Sequence, residues 1–233
     1  MGFKSLRAEK TCQADFIQVQ LAIPVSNESA EKEPLLGTDK QLEALDRADM
    51  DRLASGHDAA LNELMERHAP KLFNYLIRCL QNEEDAADAA QETFVRVYQN
   101  RARFDPNQRF ATWLYAIATN LVKDRYRYRS RHPQVSLEAE NADTGNEFRE
   151  NLPEQAPTPS ESVQVAERAK AVREAVAELP EELRTPLILS EYEELSHAEI
   201  AEILKCSAKA VETRIYRARK HLRTRLEHLL RET

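Results

Sequence analysis

Glycine is scarce in this chain, at four residues in 233. No glycine-rich loop able to cradle a phosphate is among them, and no run of alternating β-branched residues marks a sheet. Cysteine occurs three times, at 12, 79 and 206, with neither paired nor metal-ligand spacing, which fits free thiols in a reducing cytoplasm. No apolar run approaches the ~20 residues that cross a bilayer, so no membrane insertion is expected. The N-terminal FIQVQLAIPV is interrupted by two glutamines and lacks the apolar core of a secretory signal. Carboxylates do not cluster with metal geometry, no nucleophile has an adjacent base, and the six histidines are scattered. These absences argue against an enzyme: no catalytic residue, metal or cofactor is expected. What remains is an all-α chain.

Net charge is −7, which at first speaks against a nucleic-acid partner. Its distribution changes that reading. Residues 1–50 carry −3 and residues 132–165 carry −6, whereas 51–131 carry +2 and 166–233 are neutral. The acidity therefore sits outside the segments with helical periodicity, and local patches set the field that a phosphate backbone feels. The organisation expected is a disordered extension over 1–50, a helical domain over 51–131, a flexible acidic linker over 132–164 and a second helical domain over 165–233. The linker, rich in Pro, Glu, Asn and Ser, has too little apolar surface to offset its ordering entropy. Because ordered patterning starts beside it, Met50 is an alternative translation start.

The segment LSHAEIAEILKCSAKAVETRIYRARKHL, from Leu195 to Leu222, is the most informative. Ser196 and Glu199 form a capping box, flanked by Leu195 and Ile200 as a hydrophobic staple. After an interruption at Lys205-Cys206-Ser207, Ser207 can cap a second helix. At 100° per residue Val211, Ile215, Ala218 and Leu222 form its buried stripe. Lys209, Thr213, Tyr216, Arg217 and Lys220 fall opposite. Between Lys209 and Arg225 stand seven Lys or Arg and one acid, Glu212. This is the pattern of a helix-turn-helix with a recognition helix for the major groove. A solvated helical hairpin fits the same segment less well.

In the first domain, NEEDAADAAQETFVRVYQN opens on Asn82 as a cap, with acids suited to the helix dipole. Ala87, Ala90, Phe94, Val97 and Tyr98 are its expected buried side, leaving Asp88, Gln91, Glu92 and Arg96 exposed. Pro70 and the Asn82 region are expected breaks. After an Asp105-Pro106-Asn107 turn, FATWLYAIATNLVKDRYRYRSR begins apolar and ends basic, with Tyr126 and Tyr128 between arginines. Such interleaving suits a nucleic-acid track with stacking surfaces; it suits equally a charged helix end whose tyrosines cover core. Trp113 and Tyr115, at helical spacing, read as structural.

DAADAAQETFVRVY, FDPNQRFATWLYAIATNLVKDRYR and LPEELRTPLILSEYEELSHAEIAEILKCSAKAVETRIYRARKHL, in that order, resemble an extracytoplasmic-function sigma factor of the sigma-70 family of bacterial transcription initiation factors. The resemblance implies two small helical domains, like sigma regions 2 and 4. It implies core RNA polymerase and promoter DNA as partners, together with an anti-sigma factor of unknown identity. By position, Asp88, Gln91 and Glu92 match the surface docking on core polymerase, with Phe94 as core. Phe104 and Asn120 match the pocket for a base flipped from the melted −10 element, an arrangement that offsets a stacking cost of a few kcal/mol. Lys123, Arg127 and Arg131 would meet phosphates near it. Lys209, Thr213, Tyr216 and Arg217 match readers of the −35 element, and Arg219 and Lys220 would clamp its phosphates. Cys206 stands where cysteine is frequent and reads as small buried packing rather than a redox sensor.

Departures from the pattern are specific. Glu212 stands where a basic or polar residue is common, so the −35 preference can differ. Glu194 replaces a common glycine, so that turn is expected to do without αL freedom. Pro186 would break a helix begun at Pro180, with Thr185 and Pro186 restarting it as cap and first residue. The main rival is a helix-turn-helix repressor or activator that binds operator DNA without polymerase.

Overall fold

The computed structural model describes residues 36–131 and 159–227. The 1–35 part of the expected extension and most of the expected linker lie outside them. Among the described residues there are eight α-helices and a 3-10 turn. They are α1 (Leu36–Ala54), α2 (Ala60–Leu80), α3 (Glu83–Asn100), the turn at Arg101–Arg103, α4 (Phe110–Arg131), α5 (Pro159–Glu178), α6 (Glu181–Glu191), α7 (His197–Leu204) and α8 (Ala208–Arg225).

One continuous core runs through the described residues, and α1 to α4 build its first part. Leu64, Leu72, Tyr75 and Leu76 of α2 pack with Phe94 and Val97 of α3 and Leu114, Ala118 and Val122 of α4. Each fully buried Leu or Val contributes about 1.5–3 kcal/mol relative to exposure. The buried Tyr75 hydroxyl is hydrogen-bonded to Thr119 Oγ1 at 2.7 Å, so α2 meets α4 without an orphaned phenol. Asn82 caps α3 by accepting from the Asp85 amide. Its second part joins Val172 and Val176 of α5, Leu187 and Ile188 of α6, Ile200 and Ile203 of α7, and Val211, Ile215 and Leu222 of α8.

Four local expectations are corrected. The helix α1 begins at Leu36, ahead of the boundary at 50, and runs through Met50, which is buried with Leu53. It is sewn down by acids: Arg67 donates to Asp46 at 3.0 Å and Asp49 at 2.5 Å, and His68 Nε2 lies 2.8 Å from Asp46 Oδ2. Pro70 does not break α2, which continues to Leu80. The missing N–H costs ~3 kcal/mol, which burial of Leu72, Tyr75 and Leu76 beyond it offsets. Likewise Pro186 lies inside a continuous α6, capped at Pro180, with Thr185 through Leu189 all buried. The fourth correction is one of register: α3 buries Ala86, Ala89 and Thr93, while Ala87 is exposed. In addition, α5 already begins at Pro159, inside the segment expected as linker.

The two halves pack on each other, α4 against α7 and α2 against α6. Arg109 reaches Glu43 of α1 and Glu199 of α7, each at 2.5 Å. Tyr115 donates to Glu193 at 2.5 Å, and Arg78 lies 4.0 Å from the same carboxylate and over the Tyr192 ring. Arg184 of α6 donates to the Cys79 carbonyl at 2.9 Å and to the Tyr126 hydroxyl at 2.6 Å, and also to the Ala177 and Leu179 carbonyls.

Candidate nucleic-acid interface

The helix-turn-helix forms as its residues dictate. Ser196 caps α7 with Glu199 in a complete capping box, and Ser207 caps α8 by accepting from the Ala210 amide. Burial tends to raise the Glu199 carboxyl, but hydrogen bonds from Ser196 and Arg109 win and hold it below the usual range. In this segment two side-chain-bearing residues take left-handed backbone conformations. Lys205 ends α7 at φ 54°, and Glu194 turns the chain before it at φ 53°. The expectation that Glu194 avoids αL is therefore wrong: the turn keeps its geometry and Glu194 bears the Cβ strain.

Val211, Ile215, Ala218 and Leu222 are buried, leaving Lys209, Thr213, Tyr216, Arg217 and Lys220 exposed on one side of α8. Tyr216 is 60% exposed, high for an aromatic side chain on a packed helix. Lys209 Nζ bonds both oxygens of Glu212, at 2.9 and 2.8 Å. Arg219 differs from the others. It is half-buried and donates to Glu191 at 2.5 and 3.2 Å, so it braces α8 on α6. A groove of about 480 Å3 beside the distal half of the helix is lined by Arg217, Lys220, His221, Thr224 and Arg225. His221 and Thr224 are not singled out by the sequence pattern.

In the first domain Phe104 is half-buried in an aromatic cluster, its ring 5.2 Å from Trp113 and 6.1 Å from Phe110. Asn120 is exposed, less than one helical turn before Lys123, from which Arg127 and Arg131 follow at steps of four along α4. The arginines of α4 divide in two. Arg125 binds Asp85 at 2.5 Å and Asp88 at 3.3 Å, and Arg129 binds Asp85 and the Leu80 carbonyl. Those two are taken up by α3 and the end of α2. On the other side Arg127 has only an exposed Asp124 at 3.5 Å. The tyrosines divide in the same way. Tyr126 donates to the Cys79 carbonyl and accepts from Arg184, so it is a structural residue rather than a stacking surface. Tyr128 is exposed.

On α3, Asp88, Gln91 and Glu92 are exposed on one face, with Glu92 bonded to Arg96 at 2.8 Å. Exposed Val95 lies one turn beyond Gln91 and Glu92 and places an apolar side chain beside them. Among the described residues no group of His, Cys, Asp or Glu is arranged to hold a metal ion, and no helix is long and apolar enough to cross a membrane.

Residues 64–132 match the Sigma-70 region 2 family and residues 169–222 match Sigma-70, region 4. The chain is 36% identical over 179 residues to the ECF RNA polymerase sigma factor SigW of Bacillus subtilis (strain 168), spanning 76% of this chain and 95% of that protein. It is 32% identical over 189 residues to the ECF RNA polymerase sigma-E factor of Haemophilus influenzae, spanning 79% and 97%. The solved structure of CnrH in complex with the cytosolic domain of CnrY is similar at a TM-score of 0.56 and 28% identity, covering 79% of this chain and 98% of that one.

Proposed function

The chain belongs to the extracytoplasmic-function sigma factors of the sigma-70 family, and on that premise we propose how its surfaces divide the work of starting transcription. It is a sigma factor, binding core RNA polymerase and directing promoter-specific initiation. Its contribution is recognition, with the bond-making left to polymerase inside the cell.

Asp88, Gln91 and Glu92, with Val95 beside them, form the face of α3 offered to core polymerase. An acidic and amide face around one apolar side chain suits a basic helical partner. Phe104 and Asn120 hold a base flipped out of the −10 element, the ring as a wall and the amide as hydrogen-bond partner. Lys123, Arg127 and Arg131 follow the adjacent phosphates. Arg217, Lys209, Thr213 and Tyr216 read the −35 element, and Lys220 grips its backbone; Arg217 is the best base reader because its fork matches guanine. Arg219 supports this face from Glu191 and reaches phosphate only if it leaves that pair.

The two elements lie about 25 base pairs apart, ~85 Å of duplex at 3.4 Å per pair. Helices packed as α4 is on α7 cannot reach both. Promoter engagement therefore requires the two halves to part along the Arg109, Glu193 and Arg184 contacts. An anti-sigma factor is the expected antagonist. The observation carrying this reading is the union, in one chain, of a capped recognition helix with an open basic face and a second helix whose outward cations lie past an aromatic cluster.

The test mixes the purified protein with bacterial core polymerase, looks for a co-migrating complex and then transcribes promoter fragments. A complex that initiates at specific sites supports the proposal. Failure to bind active core, with tight duplex binding by the protein alone, would favour the operator-binding regulator instead.

A further inference from the structure

Glu212 is the one acid among the cations between Lys209 and Arg225. Relative to Lys209 it is turned by about 60°, and by about 40° relative to Tyr216, at 100° per residue. It therefore shares their outward arc. It also lies in the second turn of α8, and the N-terminal residues of a recognition helix are those that contact base edges.

Local helix chemistry does not explain an acid there. Ser207 already caps the helix, and Glu212 lies beyond the first turn, where a carboxylate would complement the dipole. Its partner Lys209 precedes it by three residues, whereas acid-before-base is the favourable order. Glu212 makes no contact with the core and is exposed. A bare carboxylate in a groove walled by phosphates is repelled, so the residue weakens binding unless donors face it.

The Lys209 ammonium sits across both carboxylate oxygens, at 2.8 and 2.9 Å. Its hydrogen bonds and charge oppose that repulsion and hold the carboxyl below its ordinary range. A carboxylate offers about four acceptor positions, so acceptor capacity remains after the lysine is served. As a charged group Glu212 has no proton to give. In the major groove, guanine presents N7 and O6 and thymine presents O4, all acceptors, whereas cytosine N4 and adenine N6 are amino donors.

We propose that Glu212 is a specificity-determining residue, accepting from the exocyclic amino group of a cytosine or adenine in the upstream promoter element while Lys209 holds it in place. The inference rests on α8 being the reader of that element. At the position it faces, guanine and thymine are rejected because acceptor meets acceptor.

The experiment uses holoenzyme, reconstituted from the full chain and core polymerase, on promoters randomised across the upstream element. Each promoter variant carries a barcode downstream of its start site, and wild type, Glu212→Ala and Glu212→Gln are compared by counting those barcodes in the transcripts. Wild type should favour cytosine or adenine at one position by about tenfold. The base chosen there identifies which amino group is read. Glu212→Ala should flatten that position alone, and Glu212→Gln should move it toward adenine, whose N6 and N7 suit an amide. If Glu212→Ala scales transcription evenly across the library with every preference intact, the carboxylate acts only through its field and the inference is overturned. If wild type initiates yet shows no preference anywhere in the upstream element, the assignment of α8 as reader falls, and Glu212 with it.

Discussion

The basic end of α4 and the outward side of α8 hold similar residues at similar density, yet the fold uses them differently. On α4 every second cation is spent internally: Arg125 and Arg129 are drawn onto Asp85, and the Leu80 carbonyl takes part of Arg129. Only the alternate stripe faces outward. On α8 the pairings with neighbouring helices, Arg219 with Glu191 and Arg225 with Glu178, flank the buried stripe and leave Arg217 and Lys220 exposed on the outward face. A cation count in sequence thus measures potential, and carboxylates on neighbouring helices decide how much of it reaches a phosphate.

The largest effect should come from where cation and core meet. Arg184 is buried, and its hydrogen-bond partners are carbonyls and a phenol. Arg184→Met should cost ~2–4 kcal/mol in urea unfolding, because the Cys79 and Leu179 carbonyls lose their donor. A loss below 0.5 kcal/mol, an arbitrary floor at about the scatter of surface substitutions, would show that water replaces it. Next, Arg217→Ala should weaken −35-dependent initiation by ~1–3 kcal/mol in recognition energy and relax preference at one base; an unaltered promoter profile would remove Arg217 from the readout.

The sharpest test of the comparison pairs two arginines of α4. Arg127→Gln should lower the slope of log affinity against log salt for promoter binding by about 1. Arg125→Gln should leave the slope alone and lower the melting temperature instead. Equal slopes in the two variants would erase the distinction between inward and outward cations.

Smaller effects attend the seam between the halves. Burial raises the Glu193 carboxyl above its ordinary range, although Tyr115 and Arg78 pull against it. A raised acid binds more protons in the packed state than when exposed. The closed arrangement should therefore gain as pH falls from neutral toward the ordinary carboxylate value, and weaken as pH rises through the raised one. Small-angle scattering across that range should show the more compact particle at lower pH, and Glu193→Gln should remove the trend. Last, Glu194→Gly should stabilise the protein by ~0.5–1 kcal/mol, as relief of αL strain outweighs glycine's entropy; destabilisation would mean the Glu194 side chain makes a compensating contact.

The helix-turn-helix was legible because its signals are local: the Ser196 and Ser207 caps and a stripe at 3.6 spacing. The rest depended on distant partners. Helix α1 hid because its buried side includes Asp46 and Asp49, acids that read as solvent-facing until Arg67 and His68 are placed opposite. The register of α3 slipped because Asp-Ala-Ala-Asp-Ala-Ala offers two equivalent alanine rows, and only packing against α2 chooses between them. Tyr126 and Arg219 looked like nucleic-acid contacts because sequence shows the donor without the acceptor that takes it.

Cys79 carries a consequence for kinetics. Its thiol is buried in the last turn of α2, and burial pushes it up to about 12. At neutral pH it holds almost no thiolate and is closed to reagents, so alkylation must wait for that turn to be uncovered. The labelling rate at Cys79 then acts as a clock for opening, with half-buried Cys206 in the helix-turn-helix giving a second signal from the other half. Followed with and without core polymerase, the two rates would time which half of the molecule loosens first.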